Sequence, residues 1–258
     1  MISVEEVPNM PHINEGNDVG EIIVDVIRKN NIKIIQNDVL CVASKVISIA
    51  ENNIVNLNDI EPSPLAMSIH KDLQRKDPRV IQLIIDASGD PSGSRLDLDT
   101  NHISAWLPNG MRLTSAGIDK LNKDNVALIP KNADQSAHKI AKIVMNKLGV
   151  RIGVLITDSD GRVEKSASTQ IAIGLHGVPA LRISESTDSD GKVSRSEESY
   201  CDLLAASAAL IMGQRGTNKP VVKISGLDYE YDTNSKIIDS LSRVPDNYIP
   251  MPHLDTES

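Results

Sequence analysis

The 258-residue sequence contains no phenylalanine, one tryptophan, four tyrosines and two cysteines. A core built without phenylalanine must be packed from isoleucine, leucine, valine and alanine. Nucleic acids are held by basic grooves, often with aromatic stacking platforms. With 2% aromatic residues and a formal net charge of −8, nucleic acid is not an expected partner. Cys41 and Cys201 lie far apart with no CxxC spacing. Neither a disulfide framework nor a zinc site is expected, and a reducing, cytoplasmic setting is. No apolar run approaches the roughly 18–20 residues that span a bilayer. The opening MISVEEVPN has neither the basic nor the apolar region of a secretory leader, so no membrane association is expected. A P-loop, a GxGxxG, an HExxH and a GxSxG serine are all missing as well. Those absences leave the common nucleotide, zinc-protease and hydrolase readings without support.

What is present reads as one large or two small globular domains with ample core: 40% hydrophobic and 24% charged residues. Val19, Ile22, Ile23, Val26 and Ile27 fall on one helical face behind Asp18, a suitable N-cap. DVLCVA (38–43) reads as a buried strand running into SKVISIAEN. Pro64 and Asp77–Pro78 each suit the first turn of a helix. Residues 102–117 alternate around Asn109–Gly110 as a hairpin does. VALIP (126–130) predicts a strand, and residues 134–148 a helix stopped by Gly149. A strand over 150–157 is expected to end at an exposed Asp158. TQIAIGLHG, PALRIS and KPVVKISG predict strands and 199–212 a helix. Residues 186–198 read as a solvated acidic loop, and the Pro-containing tail over 245–258 as mobile. Strands and helices mix without a βαβ rhythm or an internal repeat, which predicts an α+β fold of mixed sheets with packed helices.

Three stretches can carry chemistry. In SAGIDKLN (115–122), Gly117 permits a tight turn, Asp119 offers a carboxylate and Asn122 an amide; a turn with an Asx cap explains the same residues. In GVLITDSDGR (153–162), Asp158 and Ser159 are oxygen donors of the kind Mg²⁺ or Mn²⁺ takes, and a polar strand-ending turn is the alternative. In MGQRGTNKP (212–220), Gly213 and Gly216 can open backbone amides to an anion beside Lys219, or simply cap a helix. A fourth stretch spaces Asp188, Asp190, Gly191, Val193 and Glu197 like an EF-hand loop, but Ser186 stands at its first position and a strand precedes it.

Taken in order, MPHINEGND, the strand into SKVISIAE, SAGID with Asn122, ITDSDGR, AIGLHGV and LIMGQ…PVVKISGL resemble the coenzyme F420-0:L-glutamate ligases, from about residue 4 to about residue 227. The resemblance implies a ligase-like domain over 1–244 built of two interlocked subdomains in an intertwined homodimer. It implies a GTP-dependent amide ligase that activates a carboxylate of the deazaflavin precursor as an acyl phosphate, which the amine of L-glutamate then attacks. Asp119 and Asp158 fall at the catalytic positions. With Ser159, and Gln214 toward a second ion, they fall where the family holds Mg²⁺ or Mn²⁺, K⁺ being a further candidate. Met10, Pro11, His12, Ile13, Ser44, Lys45 and Asn122 fall where the family holds GTP. So does the loop Gly213, Gln214, Arg215, Gly216, Thr217, Asn218, Lys219, Pro220. Departures lie on the nucleotide and substrate side: Ile49 replaces a lysine, Val163–Ser166 lack the usual aromatic and arginine residues, and Thr217–Pro220 replace D-G-I-P. The alternatives are the same chemistry on a folate-like or peptidyl acceptor, or a non-catalytic nucleotide- or calcium-binding module.

Overall fold

The computed structural model describes residues 1–99, 102–162, 165–214 and 216–241; the expected tail over 245–258 lies outside them. The first half of the chain forms β1 (Ser3–Glu6), α1 (Val19–Lys29), β2 (Val39–Ala43), α2 (Ser44–Ala50), β3 (Ile54–Asn56), α3 (Pro64–Asp72), α4 (Pro78–Ser88), β4 (Leu96–Asp99), β5 (His102–Trp106) and β6 (Arg112–Thr114). The second half forms β7 (Asp119–Lys120), β8 (Asn125–Ala127), α5 (Ala133–Leu148), β9 (Gly153–Gly161), β10 (Ser168–His176), β11 (Leu181–Thr187), β12 (Val193–Ser199), α6 (Tyr200–Met212) and β13 (Val221–Ser225). Six α-helices among the described residues and several sheets make the chain α+β, as its pattern predicts. No helix among these residues is long and apolar enough to cross a membrane.

The chain divides into two compact units. Unit 1 comprises Met1–Asn53, Ile129–Ser159 and Ser168–Ser240; unit 2 comprises chiefly Ile54–Leu128 and Asp160–Ala167. Unit 1 is organised by a five-stranded sheet in the order β1-β13-β2-β9-β10. Its central strands β2 and β9 run parallel, while β13 is antiparallel to both β1 and β2. Leu40, Cys41, Val42, Val154, Leu155 and Ile156 are all buried. That continuous apolar run is the signature of strands covered on both faces. Helix α6 packs on β1, β2, β10 and β13, and α5 packs on β10 and α1. In unit 2, β3-β8-β7 and β4-β5-β6 form two antiparallel sheets. Leu57, Leu83 and Val126 form a buried cluster there, with Val55, Ile60, Val80 and Ile118 against it.

The caps follow the local chemistry. Asp18, Ser63 and Asp77 each accept a backbone N–H at the start of α1, α3 and α4, and Gly149 closes α5 at φ 70°. The strands are where expectation and structure part. The strand read as 150–157 starts at Gly153 and continues through Asp158 to Gly161. The strand read as 126–130 is the shorter Asn125–Ala127. Residues 186–198 are not a solvated loop: they fall in the β11–β12 hairpin, whose register runs from Leu181↔Ser199 to Thr187↔Val193. Alternating serine, arginine and glutamate hid the pairing, because neither face of this ribbon is buried.

Candidate active site

Sheet register in unit 1 collects four of the predicted segments at one edge. The parallel pair β2 and β9 ends with Ala43 opposite Thr157. Antiparallel β13 begins beside the same point, with Val221 opposite Val42, and the Ala43 N–H donates to the Pro220 carbonyl at 2.9 Å. Strand β1 ends there too: Glu6 lies opposite Val222, and the Val7 N–H donates to the Val221 carbonyl at 3.0 Å. Met10–Ile13 beyond β1, Ser44 and Lys45 after β2, Asp158 and Ser159 in β9, and the loop Gly213–Pro220 before β13 therefore all leave one sheet edge. Ends of parallel strands are where α/β sheets place ligand-binding groups.

Asp158 is buried, with 7% of its surface accessible, which corrects the exposed strand end expected from sequence. The Ser44 hydroxyl, also buried, donates to Asp158 Oδ1 at 2.9 Å. A buried carboxylate needs such donors, and this one comes from the residue that follows the neighbouring parallel strand. The Thr157 hydroxyl contacts the Met212 sulfur at 3.8 Å, tying β9 to the end of α6. Ile13 is buried in the segment after β1, whereas Pro11 and His12 are exposed. Lys45 stands in the first turn of α2 and Ile49 in its last, four residues on and so on the same face.

The glycine loop is held by its own chain. Gly213 closes α6 at φ 64° and ψ −167°, and a Cβ there would come within 2.6 Å of Thr217 Cγ2. The Thr217 hydroxyl donates to the Met212 carbonyl. Gly216 and Asn218 are left-handed at 72° and 55°. Lys219 pairs with Glu6 at 2.7 Å, and Gln214 Oε1 accepts from Ser168 at 3.3 Å. Arg215 lies outside the described residues.

Asp119 and Asn122 belong to unit 2. The turn before Asp119 is left-handed at three consecutive residues: Ser115 (φ 55°), Ala116 (φ 54°) and Gly117 (φ 67°). Two of the three carry a Cβ, at about 1–2 kcal/mol each. Asn122 does what an Asx cap does, its carbonyl accepting from the N–H groups of Asp124 and Asn125 at 2.9 Å each. Thr114, before the turn, donates its N–H to Asp160 Oδ1 at 2.8 Å. Lys76 donates to the Ser115 hydroxyl, and burial together with the neighbouring Arg75 charge lowers its pKa to about 8. Sequence reasoning missed Lys76, and nothing in its local pattern distinguishes it from any lysine before an Asp–Pro helix start.

Among the described residues no group of three or more His, Cys, Asp and Glu side chains gathers to hold a metal. Asp158, Ser159 and Gln214 of unit 1 and Asp119 of unit 2 each carry a side-chain oxygen. Magnesium and manganese take oxygen ligands, and on a nucleotide they need one or two carboxylates, with phosphates and water completing the shell. The EF-hand-like stretch does not fit calcium. It forms the turn and second strand of the β11–β12 hairpin instead of a helix-flanked loop, and Glu197 pairs with Arg195 at 3.0 Å.

The family described as F420-0:gamma-glutamyl ligase matches residues 8–226. The chain is 34% identical over 241 residues to a protein of Methanosarcina mazei, covering 91% of this chain and 89% of the relative. It is 31% identical over 235 residues to one of Methanopyrus kandleri, covering 90% and 89%. A third, from Methanothermobacter thermautotrophicus, is 28% identical over 229 residues, covering 87% and 89%. All three are named coenzyme F420:L-glutamate ligase. The matched span takes in every described candidate segment at the sheet edge and in the left-handed turn, and the chain belongs to the F420-0:gamma-glutamyl ligase family.

Proposed function

We propose that this enzyme joins L-glutamate to the deazaflavin coenzyme F420-0 by an amide bond, at the expense of GTP. The observation that carries the reading is the convergence at one sheet edge of the segments after β1 and β2, the buried Asp158 of β9, and the loop before β13. A carboxylate of the acceptor attacks the γ-phosphorus of GTP, GDP leaves, and an acyl phosphate forms. The α-amine of L-glutamate then attacks the acyl carbon, inorganic phosphate leaves, and the amine gives up its proton. No side-chain nucleophile is needed, so positioning and electrostatics carry the catalysis.

In this reading Ser44, Lys45 and the loop Gly213–Pro220 orient the nucleotide, and Lys219 supplies charge to its phosphates. Asp158, Ser159 and Gln214, all in unit 1, would be the oxygen donors for Mg²⁺ or Mn²⁺. When bound, such an ion neutralises charge on the phosphate oxygens. The Ser44 hydrogen bond helps to orient the Asp158 carboxylate. The enzyme works as a homodimer. The β11–β12 ribbon supports this, since an isolated two-stranded hairpin is marginal in water and this one exposes Ile183 and Val193.

Mass spectrometry of purified protein with GTP, Mg²⁺ or Mn²⁺, L-glutamate and the deazaflavin precursor tests the proposal. Glutamyl additions accompanied by GDP are the expected result. Metal-dependent GTP binding without product would move the chemistry to a folate-like or peptidyl acceptor. The absence of both product and binding would overturn the ligase reading.

A further inference from the structure

We propose that Lys76 binds substrate, its ammonium and the Ser115 hydroxyl forming a cradle for an oxyanion, phosphate or carboxylate, of the ligase reaction. This assignment rests on the function proposed above and adds to it a contact in unit 2. Four observations support it. Lys76 is partly buried, its ammonium donates to a neutral hydroxyl, that of Ser115, and among the described residues the charge that bears on it is the like charge of Arg75. The adjacent acid, Asp77, is consumed: both its oxygens accept from the Arg79 guanidinium, at 2.9 and 2.7 Å, and it also caps α4. His70, on α3, turns Nδ1 to the Lys76 carbonyl at 2.9 Å and brings no acid. Finally, Ser115 is itself the first of the three left-handed residues that lead to Asp119.

A partly buried cation beside another cation, with no carboxylate paired to it among the described residues, is an unfavourable arrangement. It is stabilised when an anion arrives. Strained backbone held in place by such a contact is found where the fold serves a ligand. The Lys76–Ser115 pair leaves two ammonium protons for that ligand. The anion and the lysine are coupled, so binding raises the lysine's proton affinity and weakens as pH passes about 8, where the amine becomes neutral.

The experiment is steady-state ligation by wild type, Lys76→Met and Lys76→Arg, with GTP, L-glutamate and the acceptor each varied in turn across pH 6.5–9.5. Lys76→Met is expected to raise one KM by about tenfold or more, the scale of a lost charged hydrogen bond. A rise in the KM for GTP identifies phosphate as the source, and a rise for glutamate or acceptor identifies a carboxylate. Lys76→Arg is expected to restore the KM and to abolish the alkaline fall in kcat/KM near pH 8, because a guanidinium stays charged. Equal KM values and pH profiles in all three proteins, with only thermal stability lowered, would reduce Lys76 to a tether and overturn the proposal. Wild-type activity that instead rises through pH 8, and does not in Lys76→Arg, would make the lysine a proton acceptor and also overturn it. Where Lys76→Met fails to fold, or wild type fails to ligate, the Lys76 Cε resonance of the wild-type protein is titrated with and without inorganic phosphate and pyrophosphate. A titration moved upward by either anion supports the cradle, and an unmoved one overturns it whatever the reaction proves to be.

Discussion

In unit 1 the candidate acid sits inside a nine-residue strand, in register with a parallel neighbour, and is satisfied by a serine hydroxyl 2.9 Å away. In unit 2 the candidate acid follows a turn forced into the left-handed region at three successive residues. Asp158 thus follows directly on a ladder of paired residues that ends at Thr157 and costs the backbone nothing. Asp119 is positioned by a stored conformational cost of about 1–2 kcal/mol at each of two non-glycine residues. A sheet edge is stiff because many elements share it, whereas a strained turn holds only while its neighbours over-determine it. Mutations in unit 1 should therefore act through packing and buried charge, and mutations in unit 2 through backbone freedom.

The largest effect is expected at Asp158. Asp158→Ala should lower ligation by about 10²–10³-fold, the range seen when one preorganised electrostatic contact is lost. It should also cost about 1–3 kcal/mol of stability, since the buried Ser44 hydroxyl loses its acceptor. GDP release and urea unfolding on the same preparation measure both. Normal turnover would remove Asp158 from the mechanism. Unchanged stability would mean that Ser44 finds another partner.

A pair of glycine exchanges tests the contrast directly. In unit 1, Gly174 of β10 lies against α5, and an added Cβ would stand 2.4 Å from the Ala133 carbonyl carbon and 2.7 Å from the Asp134 nitrogen. Both obstacles are backbone, so Gly174→Ala should cost about 1–3 kcal/mol or more. In unit 2, Ala116→Gly relieves about 1–2 kcal/mol of left-handed strain but gives up roughly 0.8 kcal/mol of buried methyl and some unfolded-state entropy. Its stability should stay within about 1 kcal/mol of wild type. A clear loss on Ala116→Gly would show that the turn is not strained in the way its dihedral angles imply.

Local chemistry was legible in the sequence, and long-range chemistry was not. Asp18, Asp77 and Gly149 act within one turn of themselves, so their types alone announce helix ends. The hairpin around Asn109–Gly110 announced itself in the same way. Asp158 misled because the side chain that makes its burial tolerable, Ser44, is 114 residues away. An acid after an apolar run otherwise means a surface turn. PALRIS reads as a strand, but the end of β11 and all of β12 were missed, because period-two patterning appears only where one face is buried. At the left-handed turn, Gly117 pointed to a positive φ, but nothing in Ser115 or Ala116 did. The motif resemblance reached the candidate positions from outside this physics. Register then explained why segments far apart in the chain stand at one edge.

A smaller effect is expected where unit 1 is proposed to take the nucleotide. Ile49 stands one turn beyond Lys45 on α2, at the position where the motif resemblance leads us to expect a lysine. Ile49→Lys should lower the KM for GTP by about three- to tenfold, the worth of one partly exposed charge contact. An unchanged KM would mean that Lys45 already supplies the charge. Unchanged stability in either case would show that the half-buried Ile49 contributes little to packing.

The smallest effect on the fold, and the sharpest separation of roles, is expected at Lys219. Its pair with Glu6 is 2.7 Å long, but the two side chains are 42% and 37% exposed. Such pairs contribute about 0–1 kcal/mol, because solvent screens them and two long side chains must be ordered. Lys219→Met should thus leave the unfolding midpoint almost unmoved, and Glu6→Gln likewise. If Lys219 serves only to fasten the loop to β1, the two variants should also have the same KM for GTP. If it gives its charge to a phosphate, Lys219→Met should raise that KM several-fold. Glu6→Gln should then lower it slightly, because the lysine no longer has a competing carboxylate. The opposite signs of those two KM changes, read on proteins of equal stability, separate an anion-binding loop from a helix cap that happens to end in a lysine.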